Sequence, residues 1–229
     1  MTNQRSDIKM LLERLFPVWD KLDDTQRELL ANAAKPKSYQ AGERIHGGSN
    51  DCVGVLLIAR GILRVYSLSE EGREITLFRV GEGESCMLSA SCVLPLITFD
   101  VFIDAQTNVD ILMVPSPDFQ ALSQQNPYVE AFAYRQVAQR FSEVMWVMQQ
   151  VLFVSFDKRL ATYLITEAST QKSPRIKATH DQIARDLGSA REVVSRMLKY
   201  FEREGLVKLD RGTVTIINEK GLGAIAREE

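Results

Sequence analysis

One stretch constrains this chain more than any other. It is residues 178–218, ATHDQIARDLGSAREVVSRMLKYFEREGLVKLDRGTVTIIN. Thr179-His-Asp-Gln182 reads as a capping box: the Thr hydroxyl caps a helix start and Gln182 reaches back. Ile183, Ala184 and Leu187 form a short apolar face, and Gly188 permits a sharp turn. Ser189-Ala-Arg-Glu192 reads as a second capping box, opening a helix to about Glu204. Val193, Val194, Met197, Leu198 and Phe201 supply its buried side, and Gly205 is a stop signal. Two short strands around Asp210-Arg-Gly212 then have the spacing of a hairpin wing. Two short helices about a tight glycine turn, followed by a hairpin, predict a winged helix-turn-helix.

That motif sets expectations for individual residues. The second helix carries Arg191, Glu192, Ser195, Arg196 and Lys199 away from its apolar face. Its N-terminal half is expected in a DNA major groove, where Arg bonds guanine O6/N7 and Glu accepts from cytosine N4. Thr179 is placed at the same surface. Arg185, Lys199, Lys208 and Arg211 are expected to contact phosphates. Glu192 has two readings, base reader and capping acid, and one carboxylate can serve either.

Upstream the texture differs. Residues 8–34 read as helical, with Leu11, Leu12, Leu15 and Phe16 on one face. From Lys37 to about Pro115, short apolar runs (VGVLLIA, GILRVYSL, EITLFRV, DILMV) alternate with Gly-, Asp- and Asn-bearing turns. Their spacing predicts an antiparallel sandwich or barrel. Ser67–Arg73 reads as a hairpin connection with Gly72 at a positive-φ position. Helix returns after Pro117. A long helix begins at Asn126 and Pro127, with Val137, Phe141, Val144, Met148 and Val151 stepping by four and three. That is the seam of a helix facing its own copy in a homodimer, or of one packed on its own barrel. A further helix covers Phe156–Thr170, and the stretch through Pro174 reads as loop.

The fold class is therefore α+β: an N-terminal antiparallel β-roll or jelly-roll sensor domain (1–125), a long dimerisation helix (126–155) and a C-terminal winged helix-turn-helix (156–229). The 229 residues suffice for two modest domains, and 45% hydrophobic with 25% charged residues is an ordinary globular composition. The net charge of −2 hides an asymmetry: residues 156–229 hold 14 Lys and Arg against 11 Asp and Glu, and the rest holds 14 against 19. An acidic sensor joined to a basic reader fits this. There is no membrane-length apolar run and no secretion signal at the start, and three cysteines are too few for a disulfide framework. A cytoplasmic location is expected. No Walker loop, H-E-x-x-H, G-x-S-x-G or paired Cys-x-x-Cys occurs, so an enzyme is not expected. The competing non-enzymatic reading is a nucleotide-binding-like regulatory subunit acting on a protein partner.

These residues carry a resemblance to the Crp/Fnr family of bacterial regulators over essentially the whole chain. It rests on Gly61 and Gly81-Glu82 in the barrel, the long helix, FDKRLATYLI (156–165) and above all ARDLGSAREVVSRMLKYFEREGLV (184–207). The triplet Glu192, Ser195 and Arg196 resembles that of the fumarate–nitrate regulator branch, whose triplet reads a TTGAT…ATCAA palindrome. The resemblance implies a homodimer on double-stranded DNA with half-sites one helical turn apart. It also implies an RNA polymerase contact if the protein activates.

For the sensor the resemblance implies an effector pocket near Gly81, Glu82, Ser85, Cys86, Phe99 and Asp100. Cyclic-nucleotide members hold the ribose and phosphate with a Gly-Glu pair and a later Arg followed by Ser or Thr. Here Ser85-Cys86 and Thr98-Phe99-Asp100 stand at those places, and no Lys or Arg occurs between Arg79 and Arg135. A cyclic-AMP phosphate would lack its cation there and meet Asp100, so cyclic AMP is not the expected effector. Cys52, Cys86 and Cys92 match no cluster spacing, and His46 is the only sensor histidine, so neither an iron–sulfur centre nor haem is expected. Cys86 and Cys92 admit a thiol switch or plain core packing. No cofactor is expected; an unidentified small-molecule effector, or none, remains.

Overall fold

The computed structural model describes residues 2–48, 53–87 and 100–227. They form two compact units. One comprises Met1–Leu68 and Leu77–Val144, the other Ser69–Thr76 and Met145–Glu229.

The first unit opens with α1 (Thr2–Leu15), a 3-10 turn (Trp19–Lys21) and α2 (Asp24–Ala33). The helical reading of 8–34 thus divides in two. Pro17 follows α1 and has no N–H to continue it. Asp23 starts α2 afresh, accepting from the Gln26 N–H at 2.8 Å in a reciprocal capping box.

Among the described residues eight strands follow: β1 (Lys35–Tyr39), β2 (Arg44–Gly47), β3 (Val55–Arg60), β4 (Leu63–Leu68), β5 (Glu74–Val80), β6 (Ser85–Cys86), β7 (Phe102–Ala105) and β8 (Val109–Val114). They make two antiparallel sheets, ordered β1-β8-β3-β6 and β2-β7-β4-β5. Gly72 has φ +79° in the β4–β5 connection, as its position predicts. The inner faces meet in one cluster that includes Leu56, Ile58, Val65, Phe78, Ile103 and Ile111. The outer face of β3 and β8 carries Val55, Leu57, Leu112 and Val114 into a second cluster. Leu12, Phe16, Trp19, Phe119 and Phe132 from the helices complete it. Strand β3 is therefore covered on both sides, which is why Val55–Ile58 is continuously apolar rather than alternating.

The helices covering that face are α1, α2, α3 (Ser116–Gln125) and the start of α4 (Pro127–Phe153). Asn126 accepts from the Tyr128 N–H at 2.9 Å, and Pro127 takes the first helical position, where a missing N–H costs nothing. Phe16 meets Phe119 and Phe132 edge-on, with centroids 6.5 and 5.5 Å away.

The second unit contains α5 (Phe156–Thr170), β9 (Arg175–Lys177), α6 (His180–Leu187), α7 (Arg191–Arg203), β10 (Val207–Asp210), β11 (Thr213–Ile216) and α8 (Glu219–Arg227). Leu160, Leu164, Ile183, Val194, Leu198 and Phe201 form its core. The loop expected around Pro174 contains β9, which pairs antiparallel with β11, so the wing is a three-stranded sheet, β10-β11-β9. Three residues are too few for a periodic signal. Their pairing is long-range: Ile176 opposes Val214 and lies in the core. No helix among the described residues is long and apolar enough to cross a membrane.

The first unit's packing yields a measurable expectation. Phe16→Ala removes a ring only 2% exposed and two edge-on aromatic contacts, so it should cost about 3–5 kcal/mol. Urea denaturation followed by tryptophan emission, with buried Trp19 nearby, reads this loss.

Candidate nucleic-acid interface

The interface is built on the turn between α6 and α7. Thr179 has extended backbone and caps α6, its Oγ1 accepting from the Gln182 N–H at 3.2 Å. Gln182 Oε1 accepts from the Thr179 N–H at 2.9 Å, so the predicted capping box is formed. Gly188 ends α6 in the left-handed region (φ 59°, ψ 45°), where a Cβ would cost roughly 1–2 kcal/mol. The Ser189 N–H returns to the Ala184 carbonyl at 2.9 Å, closing a Schellman-type end.

The second predicted capping box does not form. Ala190, not Ser189, is the N-cap of α7, and no side chain caps this start. The reason is that Ser189 belongs to the end of α6. Its N–H is spent on that turn, so α7 begins one residue later than the Ser-x-x-Glu spacing requires. Glu192 falls at the second helical position and is released from any capping duty.

Arg159 fastens this turn to α5. Its Nη1 donates to the Leu187 carbonyl at 2.7 Å, and its guanidinium lies over the Phe156 ring at 5.4 Å. Burial pushes the guanidinium pKa down. The segment FDKRLA thus serves the helix-turn-helix geometry, a role that the reading of individual residues missed because it spans 28 positions.

With Val194, Leu198 and Phe201 buried, α7 presents Arg191, Glu192, Arg196 and Lys199 to solvent, and Ser195 is half-buried beside them. Glu192, Ser195, Arg196 and Lys199 stand at i, i+3, i+4 and i+7, so they share one face. The charged ends of Glu192, Arg196 and Lys199 make no hydrogen bond or ion pair among the described residues. Arg191 lies 3.5 Å from Asp181 of α6, both well exposed, a pair of small energetic weight. Ser195 Oγ is 3.0 Å from His180 Nδ1; the sequence reading assigned His180 no role. Arg185 faces Glu74 at 3.8 Å within the same unit, so its charge is partly answered inside the protein. A cleft of about 400 Å³ separates the start of α6 from the wing turn. Thr179, His180, Asp181, Arg191, Asp210 and Arg211 line it.

The barrel residues nominated for an effector are dispersed. Gly81 and Glu82 form the turn after β5, Glu82 being exposed. Ser85 and Cys86 are buried in β6 but on opposite faces. Ser85 pairs with Leu57, whose side chain joins the helix-facing cluster. Cys86 pairs with Leu56 in the inter-sheet cluster and lies there itself. Asp100 is exposed, while Phe99, Cys52 and Cys92 lie outside the described residues. A cation does reach this region from farther along the chain. Arg140 of α4 is 5% exposed, with its guanidinium over the Phe78 ring at 4.7 Å. Glu143 accepts from it at 2.8 and 3.0 Å, and Glu84 stands 3.9 Å away. Two carboxylates thus answer that charge.

Two stability expectations follow from the turn. Thr179→Ala should cost about 1 kcal/mol. Arg159→Met should cost about 1–3 kcal/mol by stranding the Leu187 carbonyl. Thermal melts of the full chain would register both.

Comparison with known proteins agrees with this geometry. A model of the Crp-like helix-turn-helix domain matches residues 158–225. A solved structure of a transcriptional regulator of the crp/fnr family from Eubacterium rectale is 41% identical. It covers 93% of this chain and 99% of its own, with a TM-score of 0.89. The chain is also similar to the cyclic AMP receptor protein of Thermus thermophilus, 24% identical over 200 residues, 87% of this chain and 92% of that one. The transcriptional activator protein anr of Pseudomonas aeruginosa is 24% identical over 198 residues, 83% of this chain and 80% of that protein. A three-helix reader with a wing, an exposed polar face on α7, and a relative 41% identical along nearly its whole length together show that this chain belongs to the Crp/Fnr family of DNA-binding transcription regulators.

Proposed function

We propose that the chain acts as a homodimer that reads a palindromic operator and is controlled through its N-terminal barrel. In this reading residues 1–125 are the sensor, 126–155 the dimerisation helix and 156–229 the reader. The observation that carries the reading is the α7 face. Glu192 does no capping there, and neither it nor Arg196, one turn on, has a charged partner among the described residues; Ser195 and Lys199 stand beside them. That set offers an acceptor for cytosine N4, a bidentate donor for guanine O6/N7 and a phosphate cation. The match of Glu192, Ser195 and Arg196 to the fumarate–nitrate branch supports TTGAT-N4-ATCAA as the operator.

Helix α4 supports the homodimer. Tyr134, Phe141 and Met148 are 57, 64 and 44% exposed and recur every seventh residue, the spacing of a coiled-coil seam. Tyr134 extends the expected seam by one heptad. Val144 is partly buried against its own barrel, so the two readings of the seam divide along the helix. Val144 turns inward, while Phe141 and Met148 are left for a second copy. Two α7 helices about 34 Å apart would then meet successive major grooves. A signal acts by favouring one arrangement of the helix pair over another. Cyclic AMP is not that signal in our reading, since the sequence supplies no Arg at the place where the family's phosphate ligand stands. The seat of action is the cytoplasm, and RNA polymerase is a partner if the protein activates.

Fluorescence anisotropy with the TTGAT-N4-ATCAA duplex and a scrambled duplex tests the reading. Selective binding is expected, falling linearly in log affinity with log salt. Arg196→Ala should weaken the specific duplex by about 1–3 kcal/mol and the scrambled one far less. Equal affinity for both duplexes would overturn the operator assignment. Phe141→Glu should shift the chain toward monomer in sedimentation velocity, and an unchanged dimer would place the interface elsewhere.

A further inference from the structure

Ser195 is the one member of the base-reading triplet whose side chain is already engaged. Glu192 and Arg196 reach solvent, whereas Ser195 is half-buried, with its Oγ 3.0 Å from His180 Nδ1. The bond joins the first residue of α6 to the middle of α7, fifteen positions apart. A serine within a helix often donates to the carbonyl four residues back. Among the described residues no such bond is made; the Ser195 hydroxyl meets His180 Nδ1 instead, and the ring's tautomer decides which of the two donates.

We propose that His180 is a positioning residue that sets the hydrogen-bonding sense of Ser195, and with it the base preferred at the position Ser195 reads. This rests on the assignment of α7 as the DNA reader. With a neutral ring protonated on Nε2, Nδ1 accepts the Ser195 O–H. The hydroxyl oxygen then offers only lone pairs outward and suits a base-edge donor, adenine N6 or cytosine N4. When the ring takes up a proton, Nδ1–H donates to Oγ instead. The hydroxyl proton is released outward and suits an acceptor, thymine O4 or guanine O6/N7. No atom moves appreciably; one proton is added and one hydrogen bond reverses direction.

Proton uptake by the ring would reverse the bond, so the base preferred at that position would depend on pH. Charged groups stand near the ring on three elements. On α6, Asp181 is next in sequence and its carboxylate lies 3.5 Å from Arg191. On α7, Arg191, Glu192, Arg196 and Lys199 are exposed. From the wing, Asp210 and Arg211 line the same cleft as His180. The chain has two histidines, and the other, His46, belongs to the barrel.

The test uses the full-length protein and a duplex library with randomised half-sites, selected at pH 6.0 and pH 8.0. Anisotropy on the enriched duplexes then compares wild type, His180→Asn, which keeps a short polar group but does not titrate, and Ser195→Ala. One half-site position should change its preferred base between the two pH values. The preference ratio should shift about threefold to tenfold, the factor that one hydrogen bond contributes. Both variants should abolish that shift while other positions keep their preferences. Imidazole nitrogen NMR of the free protein should show the Nε2–H tautomer of His180 near pH 8, with an Nδ1 shift that moves in Ser195→Ala. A pH-independent selection, a shift that survives His180→Asn, or an Nδ1–H tautomer at pH 8 would overturn the inference while leaving the reader assignment intact. Enrichment of no sequence at either pH would overturn the reader assignment, and this inference with it.

Discussion

The left-handed turn at Gly188 is the constraint on which the DNA-reading end depends. It closes α6, spends the Ser189 N–H on the Ala184 carbonyl, and leaves Leu187 to accept from Arg159. Those two bonds fix where α7 can begin. The first helical residue is then Arg191, and the Val194, Leu198, Phe201 stripe decides which way the helix is rolled. A one-residue change of start would not change the apolar stripe, but it would return Glu192 to a capping role. The polar face is left exposed and free of capping because the turn, and not the side chains of α7, determines how the helix starts.

The barrel obeys a different constraint, burial on two sides. Strand β3 stands between an inter-sheet core and a layer of helices, so it offers no polar face. That arrangement sends Ser85 and Cys86 of neighbouring β6 to opposite sides and separates residues that lie together in sequence. It also brings Arg140, over fifty residues beyond Glu84, against the turn after β5. Phe78 lies under its guanidinium and two carboxylates flank it. Helix α4 thus makes contact with the barrel through both a charge and Val144. The same helix carries exposed large apolar side chains, Phe141, Met148 and Leu152 among them.

Much of this was legible before any coordinate. The Thr179 capping box, the glycine turn, the α5 limits and the hairpin about Asp210–Gly212 rest on local signals within a few residues, and they stand as read. Three readings of local structure were displaced, one of them by a long-range pairing and two by stronger local signals. The Ser189 capping box is lost to the preceding helix. The loop at Pro174 hides β9, because three residues carry no period and the pairing partner lies forty positions on. The 8–34 helix breaks after Leu15, where Pro17 and the Asp23 cap prevail over a continuous apolar periodicity.

Local sequence carried most of the element order, the polar face of α7 and the family resemblance. Periodicity, caps and turn residues act over one to seven positions and need no partner to be recognised. Tertiary structure decided what depended on distance across the fold. It placed the Arg159 guanidinium on the Leu187 carbonyl and buried Arg140 against Phe78 and Glu84. It also set His180 against Ser195. Those contacts join residues whose spacing carries no repeat, and only the closing of a core brings them together.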